Sequence, residues 1–173
     1  MAAIALALVP AAGRADLSVT PTGSDGNPCA FTAPCSSFDR AYHAASPGTI
    51  VQVGAGSYGE QNVTYDGTKT SSARVTFQPV SGAAVRLGGL NLLSASHLVV
   101  QNINTGFVDI EPGKGGQGTT DVIVINGGGN GFFIGRSTSN VAIVGGSYGG
   151  GPHNVSPVKI QGSPPPTGIT LDG

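Results

Sequence analysis

The chain has 173 residues, eight Lys and Arg against nine Asp and Glu, and a formal net charge of −1. It is therefore about one domain long and offers no basic stripe for phosphates, which excludes nucleic acid as an expected partner. With 29 Gly, 12 Pro and no Trp it does not read as a helical bundle, its 39% hydrophobic content is too high for a disordered linker, and no apolar stretch is long enough for a membrane span.

Residues 1–15, MAAIALALVPAAGRA, read as the remnant of a secretory signal peptide: an apolar run and a Pro, then small residues with a cut after Ala15. No basic residue precedes the apolar run, which leaves translation from an internal Met or an Ala-rich leader as the two explanations. Export would place Cys29 and Cys35 where disulfides form. A small local bridge is expected between them. A metal pair, which lacks a second CxxC or a nearby His, and two free thiols stay open. Residues 16–47 form an entry segment in which SSFDRAYHAA predicts one short helix from Ser36 or Ser37 to Ala45. Ser is its N-cap, Phe38, Ala41, Tyr42 and Ala45 share one side, and Pro47-Gly48 stops it. His43 reads as a surface or packing residue.

From residue 48 to residue 173 short alternating runs recur. Val51 and Val53, Val75 and Phe77, Leu98 and Val100, Val122 and Val124, Val141 and Ile143, and Ile169 and Leu171 form one ladder with starts roughly two dozen residues apart. Val63 and Tyr65, Val85 and Leu87, Val108 and Ile110, Phe132 and Ile134, and Val158 and Ile160 form a second. One such unit cannot bury its apolar face alone, so the units are expected to stack as parallel strands about 4.8 Å apart around a shared core. The helix is the lid on the first coil. Asn102 and Asn126 share a turn position that Gly145 takes next, which fits either an internal amide ladder or plain tolerance of a turn conformation. Pro164 to Pro166 belong in a loop. GITLDG starts a coil with no cap after it, so residues 48–173 are expected to be truncated at the C-terminal end.

The stretch DLSVTPTGSDGNPCAFTAPCSSFDRAYHAASPGTIVQVGAGSYGEQNVTY resembles the entry module of secreted right-handed parallel β-helix proteins of the pectate-lyase-like superfamily. There a polar Gly/Asp segment and a capping helix run into the first strand and a Gly-x-Tyr turn, here Gly56-Ser57-Tyr58. ARVTFQPVSGAAVRLGGLNLLSASHLVVQNINT is similar to the coils that follow in the polysaccharide lyase family containing chondroitinase B and alginate lyases, and in the larger right-handed β-helix repeat group. The likeness covers about residues 16–173. It implies an all-β fold, a right-handed parallel β-helix with a short N-terminal capping helix, in a monomeric protein secreted by a bacterium. It also implies β-elimination on an acidic polysaccharide, with a Lys or Arg as base and Ca²⁺ or basic residues neutralising the uronic acid. The main catalytic residues would lie beyond Gly173, and Ca²⁺ would belong to the full-length protein, with no cofactor in this fragment. The same entry module serves lyases, hydrolases, epimerases and non-enzymatic surface proteins, so a non-catalytic cell-surface or adhesion module is the second expectation.

Aligning the second ladder places Thr64, Arg86, Asp109, Phe133 and Lys159 in one outward row, with Glu111 and Arg136 a short step along the chain. Arg86, Asp109, Glu111, Arg136 and Lys159 then form a candidate substrate groove for a polyanionic sugar. The plainer reading pairs Arg86 with Asp109 at the surface and leaves Lys159 to solubility. Two acids are thin for Ca²⁺, which takes six to eight oxygens, and no metal site is predicted. His97 and His153 lie too far apart in the repeat to share a metal, and Asp121 reads as a turn cap. Asn62-Val63-Thr64 and Asn154-Val155-Ser156 match the glycosylation sequon weakly. No GxSxG or HExxH occurs, and Gly127 to Gly131 fits a turn. The outward residues of the first ladder, Gln52, Thr76, Val99, Ile123, Ala142 and Thr170, are neutral.

Overall fold

The computed structural model describes residues 16–149 and 158–172. The leader at 1–15, His153, Asn154 and Gly173 therefore lie outside the described residues. The predicted helix is α1, Phe38–Ala44, and Ser37 is its N-cap, with its hydroxyl accepting from the Arg40 amide. Asp25 Oδ1 accepts from the Ser36 and Ser37 amides at 2.9 Å each, fixing where the helix starts. Phe38, Ala41, Tyr42 and Ala45 are buried. The Phe38 ring stacks on Phe77 with centroids 4.6 Å apart, so the apolar side of α1 lies directly on the core, as a lid must.

Cys29 and Cys35 form a disulfide. The loop it closes is laced to β1 (Leu17–Val19) by Ser18 N to Cys29 O at 2.7 Å and Cys35 N to Ser18 O at 3.1 Å. In this way the entry segment becomes the first strand of a sheet. A bridge over so short a loop stabilises by about 2 kcal/mol through loss of chain entropy in the unfolded state.

The rest is strand and turn. The first sheet runs in the order β1, β2 (Ile50–Val53), β4 (Val75–Pro79), β6 (Ser96–Gln101), β9 (Thr120–Ile125), β12 (Ser139–Val144) and β15 (Thr167–Asp172). The second sheet holds β3 (Gly56–Thr64), β5 (Val85–Leu93), β7 (Asn104–Thr105), β8 (Val108–Glu111), β10 (Gly128–Gly129), β11 (Phe132–Ile134), β13 (Ser147–Tyr148) and β14 (Val158–Ile160). All named strands pair in parallel, and the chain alternates between the sheets lap after lap. The fold is thus all-β and mostly parallel, with one helix among the described residues.

Val75, Leu98, Val122 and Val141 stand in direct register, and each is essentially inaccessible. The expected file of side chains is present. Above it the ladder slips by two residues. Val51 meets Phe77 rather than Val75, and Ile50, not Gln52, heads the outward row of Thr76, Val99, Ile123, Ala142 and Thr170. A slip of two preserves the buried face, because side chains alternate with period two, so the hydrophobic pattern alone does not detect it.

The second ladder holds from Val108 and Ile110 through Phe132 and Ile134 to Val158 and Ile160. Before that it fails. Leu90 and Leu92, not Val85 and Leu87, meet Val108 and Ile110, and they in turn meet Gln61 and Val63. β5 carries two inward pairs within nine residues, and the spacing alone favours the wrong one. Its first half pairs with β7 and its second half with β8. The second sheet is therefore two walls joined along β3 and β5, a second wall (β7, β10, β13) and a third (β8, β11, β14). At their shared corner the backbones nearly touch, and a Cβ on Gly106 would fall 2.0 Å from the Gly88 carbonyl oxygen.

Two smaller expectations also change. Gly56-Ser57-Tyr58 begins β3 rather than forming a turn, with the Tyr58 hydroxyl donating to Gly54 O at 2.8 Å. Gly127 to Gly131 contains the short strand β10 between two corners. Asn102, Asn126 and Gly145 do share one corner, with φ of 58°, 48° and 61°. The two Asn side chains are exposed, and backbone bonds such as Asn102 N to Ile125 O at 2.9 Å connect the corners. Left-handed turn geometry, which Gly and Asn adopt at least cost, is what the position demands. The inward residues of both sheets and α1 form one continuous core, in which burying each large aliphatic side chain contributes about 1.5–3 kcal/mol.

Candidate functional site

Parallel register assembles the outer face of the third wall. Asn62, Asn91, Asp109, Phe133 and Lys159 lie in one row across five laps. Thr64, Leu93 and Glu111 make the adjacent row. Asp109, Phe133 and Lys159 are aligned as the sequence predicts, and Glu111 stands beside them. Thr64 belongs to the Glu111 row instead.

Arg86 is not in this group. It lies in register with Ser57 and Asn104 on the second wall, at the edge of a separate hollow of about 390 Å³ that Asn104, Gly128 and Ser147 also line. The cause is the same choice between the two pairs of β5, which shifts Arg86 one wall away. No ion pair among the described residues involves Arg86, Asp109, Glu111, Arg136 or Lys159, so the expected surface pair between Arg86 and Asp109 is not formed. Arg136 and Lys159 are exposed.

Two residues that the sequence did not single out complete the face. Glu60 extends over Gly89 of the neighbouring strand, where a Cβ would lie 3.5 Å from its side chain. There Glu60 Oε1 accepts from Asn91 Nδ2 at 2.9 Å, and the same amide nitrogen donates to Asn62 Oδ1 at 2.9 Å. Glu111 repeats the arrangement over Gly135, whose missing side chain leaves room for both Glu111 and the Phe133 ring. An outward Gly one lap after a Glu is the signal that could have found Glu60. Burial first, then the charges of Glu111 and Glu60, raise the Asp109 carboxyl above its usual range, so its neutral form persists to higher pH. Phe107, on the loop before β8, is exposed nearby.

The face therefore grades from carboxylates on the early laps, Glu60, Asp109 and Glu111, to the cations Arg136 and Lys159 on the later ones. Lys159 lies two strands from Asp109, about 10 Å at normal strand spacing. Such a surface can accept hydroxyl hydrogen bonds at one end, stack a ring on Phe133, and bind anions at the other. Among the described residues no group of three His, Cys, Asp or Glu could hold a metal ion. These residues do not make a Ca²⁺ site, and no step is assigned to Ca²⁺.

A second polar cluster lies at the start of the first-sheet strands. His97, Asp121, Asn140 and Gly168 all have positive φ, at 51°, 56°, 54° and 63°. Asp121 Oδ1 accepts from Arg74 Nε at 3.0 Å, and Asp121 Oδ2 lies 2.6 Å from His97 Nδ1. Burial alone would raise the Asp121 carboxyl, but the hydrogen bonds and charges of Arg74 and His97 outweigh it and hold the group below its usual range. Asp121 thus clamps neighbouring laps together rather than capping a turn. No helix among the described residues is long and apolar enough to cross a membrane. No family model matches the chain, and no match was found among curated proteins or solved structures.

Proposed function

We propose that the chain is a secreted right-handed parallel β-helix protein of the pectate-lyase-like type, that its third wall holds an acidic polysaccharide, and that its chemistry is β-elimination beside a uronate carboxylate. Alternation of parallel strands between sheets supports the winding, and connections between parallel strands of one sheet are right-handed in nearly all proteins. The disulfide suits an oxidising compartment.

The observation that carries the glycan reading is the outward row Asn62, Asn91, Asp109, Phe133, Lys159 and its charge gradient. A uronate chain laid along it presents hydroxyls to Glu60, Asp109 and Glu111, a ring face to Phe133, and carboxylates to Lys159 and Arg136. Because burial and then the charges of Glu111 and Glu60 raise the Asp109 carboxyl, it loses its charge at a higher pH than an ordinary carboxylate, which eases the approach of a polyanion in acid solution. The test is incubation with alginate, pectate and chondroitin, following ultraviolet absorbance of unsaturated products alongside direct binding. Binding to at least one of them is expected, and product in addition would place the eliminating base within this chain. Binding without product would leave the non-catalytic wall, the second reading, which the wide gap between Asp109 and the nearest cation in its row favours. Absence of both binding and product sinks the glycan reading altogether.

A further inference from the structure

The corners between the third wall and the first sheet change length from lap to lap. They comprise residues 65–74, 94–95, 112–119, 135–138 and 161–166 on successive laps, whereas the corners leaving the first sheet from β6 onward are 102–103, 126–127 and 145–146. In stacked architectures the insertions of individual laps collect on one face, often the binding face. Here the short corner at Ser94 and Ala95 falls between two long ones. The result is a valley of about 480 Å³ floored by Leu93 and Ser94 and walled by Tyr65 from one side and Lys114 and Gln117 from the other. That volume is within the usual range for small-molecule sites, about 300–1,000 Å³.

Both walls are held from below. Asp66 accepts from the Thr68 amide at 2.9 Å and its hydroxyl at 2.7 Å, and it pairs with the buried Lys69 ammonium, which sits 5.0 Å from the centre of the Tyr42 ring. This fixes the turn that follows Tyr65. Across the valley, Ser94 Oγ accepts from the Gly113 amide at 2.7 Å and donates to the Gln117 carbonyl, clasping the loop on either side of Lys114. Tyr65 itself is 52% exposed, and Lys114 is exposed with no ion pair among the described residues. Fixed walls carrying an open aromatic face and a free cation cost little to organise around a ligand. The valley opens beside the Glu111 row, since Leu93 and Glu111 are register partners.

We propose that this valley is a subsite for one acidic sugar unit, with its ring lying against Tyr65 and its carboxylate on the Lys114 ammonium. The inference rests on the glycan reading above and adds to it a position where the acidic group is recognised. Lys114 makes the site selective, because a charge-assisted bond to a carboxylate has no counterpart in a neutral sugar.

Calorimetric titration of the chain with galacturonate, glucuronate and mannuronate–guluronate oligosaccharides, and with neutral oligosaccharides of equal length, tests this. Tyr65→Ala should weaken binding about tenfold, and Lys114→Gln should do so only for acidic oligosaccharides, with the difference shrinking at high salt. Both side chains are exposed, so melting temperatures should match the parent chain. If Asp109→Asn or Phe133→Ala weakens binding while the Tyr65 and Lys114 variants bind like the parent, the valley is overturned and the third-wall reading stands. If the parent chain binds none of the sugars, both fall.

Discussion

Phe77, Val100, Val124, Ile143 and Leu171 stand in one file along the first sheet, yet they are 0%, 1%, 3%, 5% and 51% exposed. The residue types hardly differ; the neighbours do. At the Phe77 end, α1 and β1 close the stack, and Phe38 lies face to face with Phe77. At the other end, among the described residues, β15 pairs with β12 alone, and both Leu171 and Ile160 show about half their surface. Stability in such a stack belongs to the contact between laps, not to the lap itself.

The sharpest way to break this contrast is at the lid. Phe38→Ala should cost about 3–5 kcal/mol in denaturant unfolding, and a loss below 1 kcal/mol would mean that the helix is an ornament on a self-sufficient core. Next is the middle of the stack, where Leu98→Ala should cost about 2–5 kcal/mol. A similar loss is expected from Asp66→Ala, about 3 kcal/mol, because it strands the Lys69 ammonium in the core. Acid titration probes the same pair. Burial alone would raise Asp66, but hydrogen bonds from Lys69 and Thr68 hold its carboxyl down to about 2. A depressed acid stabilises the fold above its unfolded value near 3.8 and loses that contribution as pH falls toward 2. The acid limb should therefore contain roughly 2 kcal/mol that is absent from Asp66→Asn, as measured by unfolding at pH 2 to 6.

The partly exposed clamp at Asp121 comes lower. Asp121→Asn should cost about 1 kcal/mol, and the effect should shrink in concentrated salt. Smallest of all is Leu171→Ala, expected within about 0.5 kcal/mol although it truncates the same file as Phe77. Comparable losses at Leu98 and Leu171 would refute the dependence on neighbours.

The same contrast explains what could be read in advance. In the middle of the chain each first-sheet strand has one inward pair and one partner on either side, so Val75, Leu98, Val122 and Val141 were legible from spacing. The helix was too, because Ser37, Phe38 and Tyr42 signal cap and face locally. Where one strand serves two walls, as β5 does, two inward pairs compete for one place in the ladder. Choosing Val85 and Leu87 displaced Arg86 into the wrong row and turned Tyr65 inward on paper. Asp109, Glu111 and Lys159 survived because β8, β11 and β14 contain only one candidate pair each. Asn91 and Lys114 were illegible for a different reason. Their role depends on which residue lies one lap away, and that offset changes with every corner of uneven length.

This unevenness has a consequence for descent. The two-residue corners at Asn102, Asn126 and Gly145 are tight left-handed turns with little room for an extra residue, whereas the edge holding 65–74, 94–95 and 112–119 already accommodates many lengths without disturbing the strands on either side. Relatives could therefore exchange, lengthen or delete those segments freely and acquire new ligand preferences, while the repeating register beneath them stays unaltered.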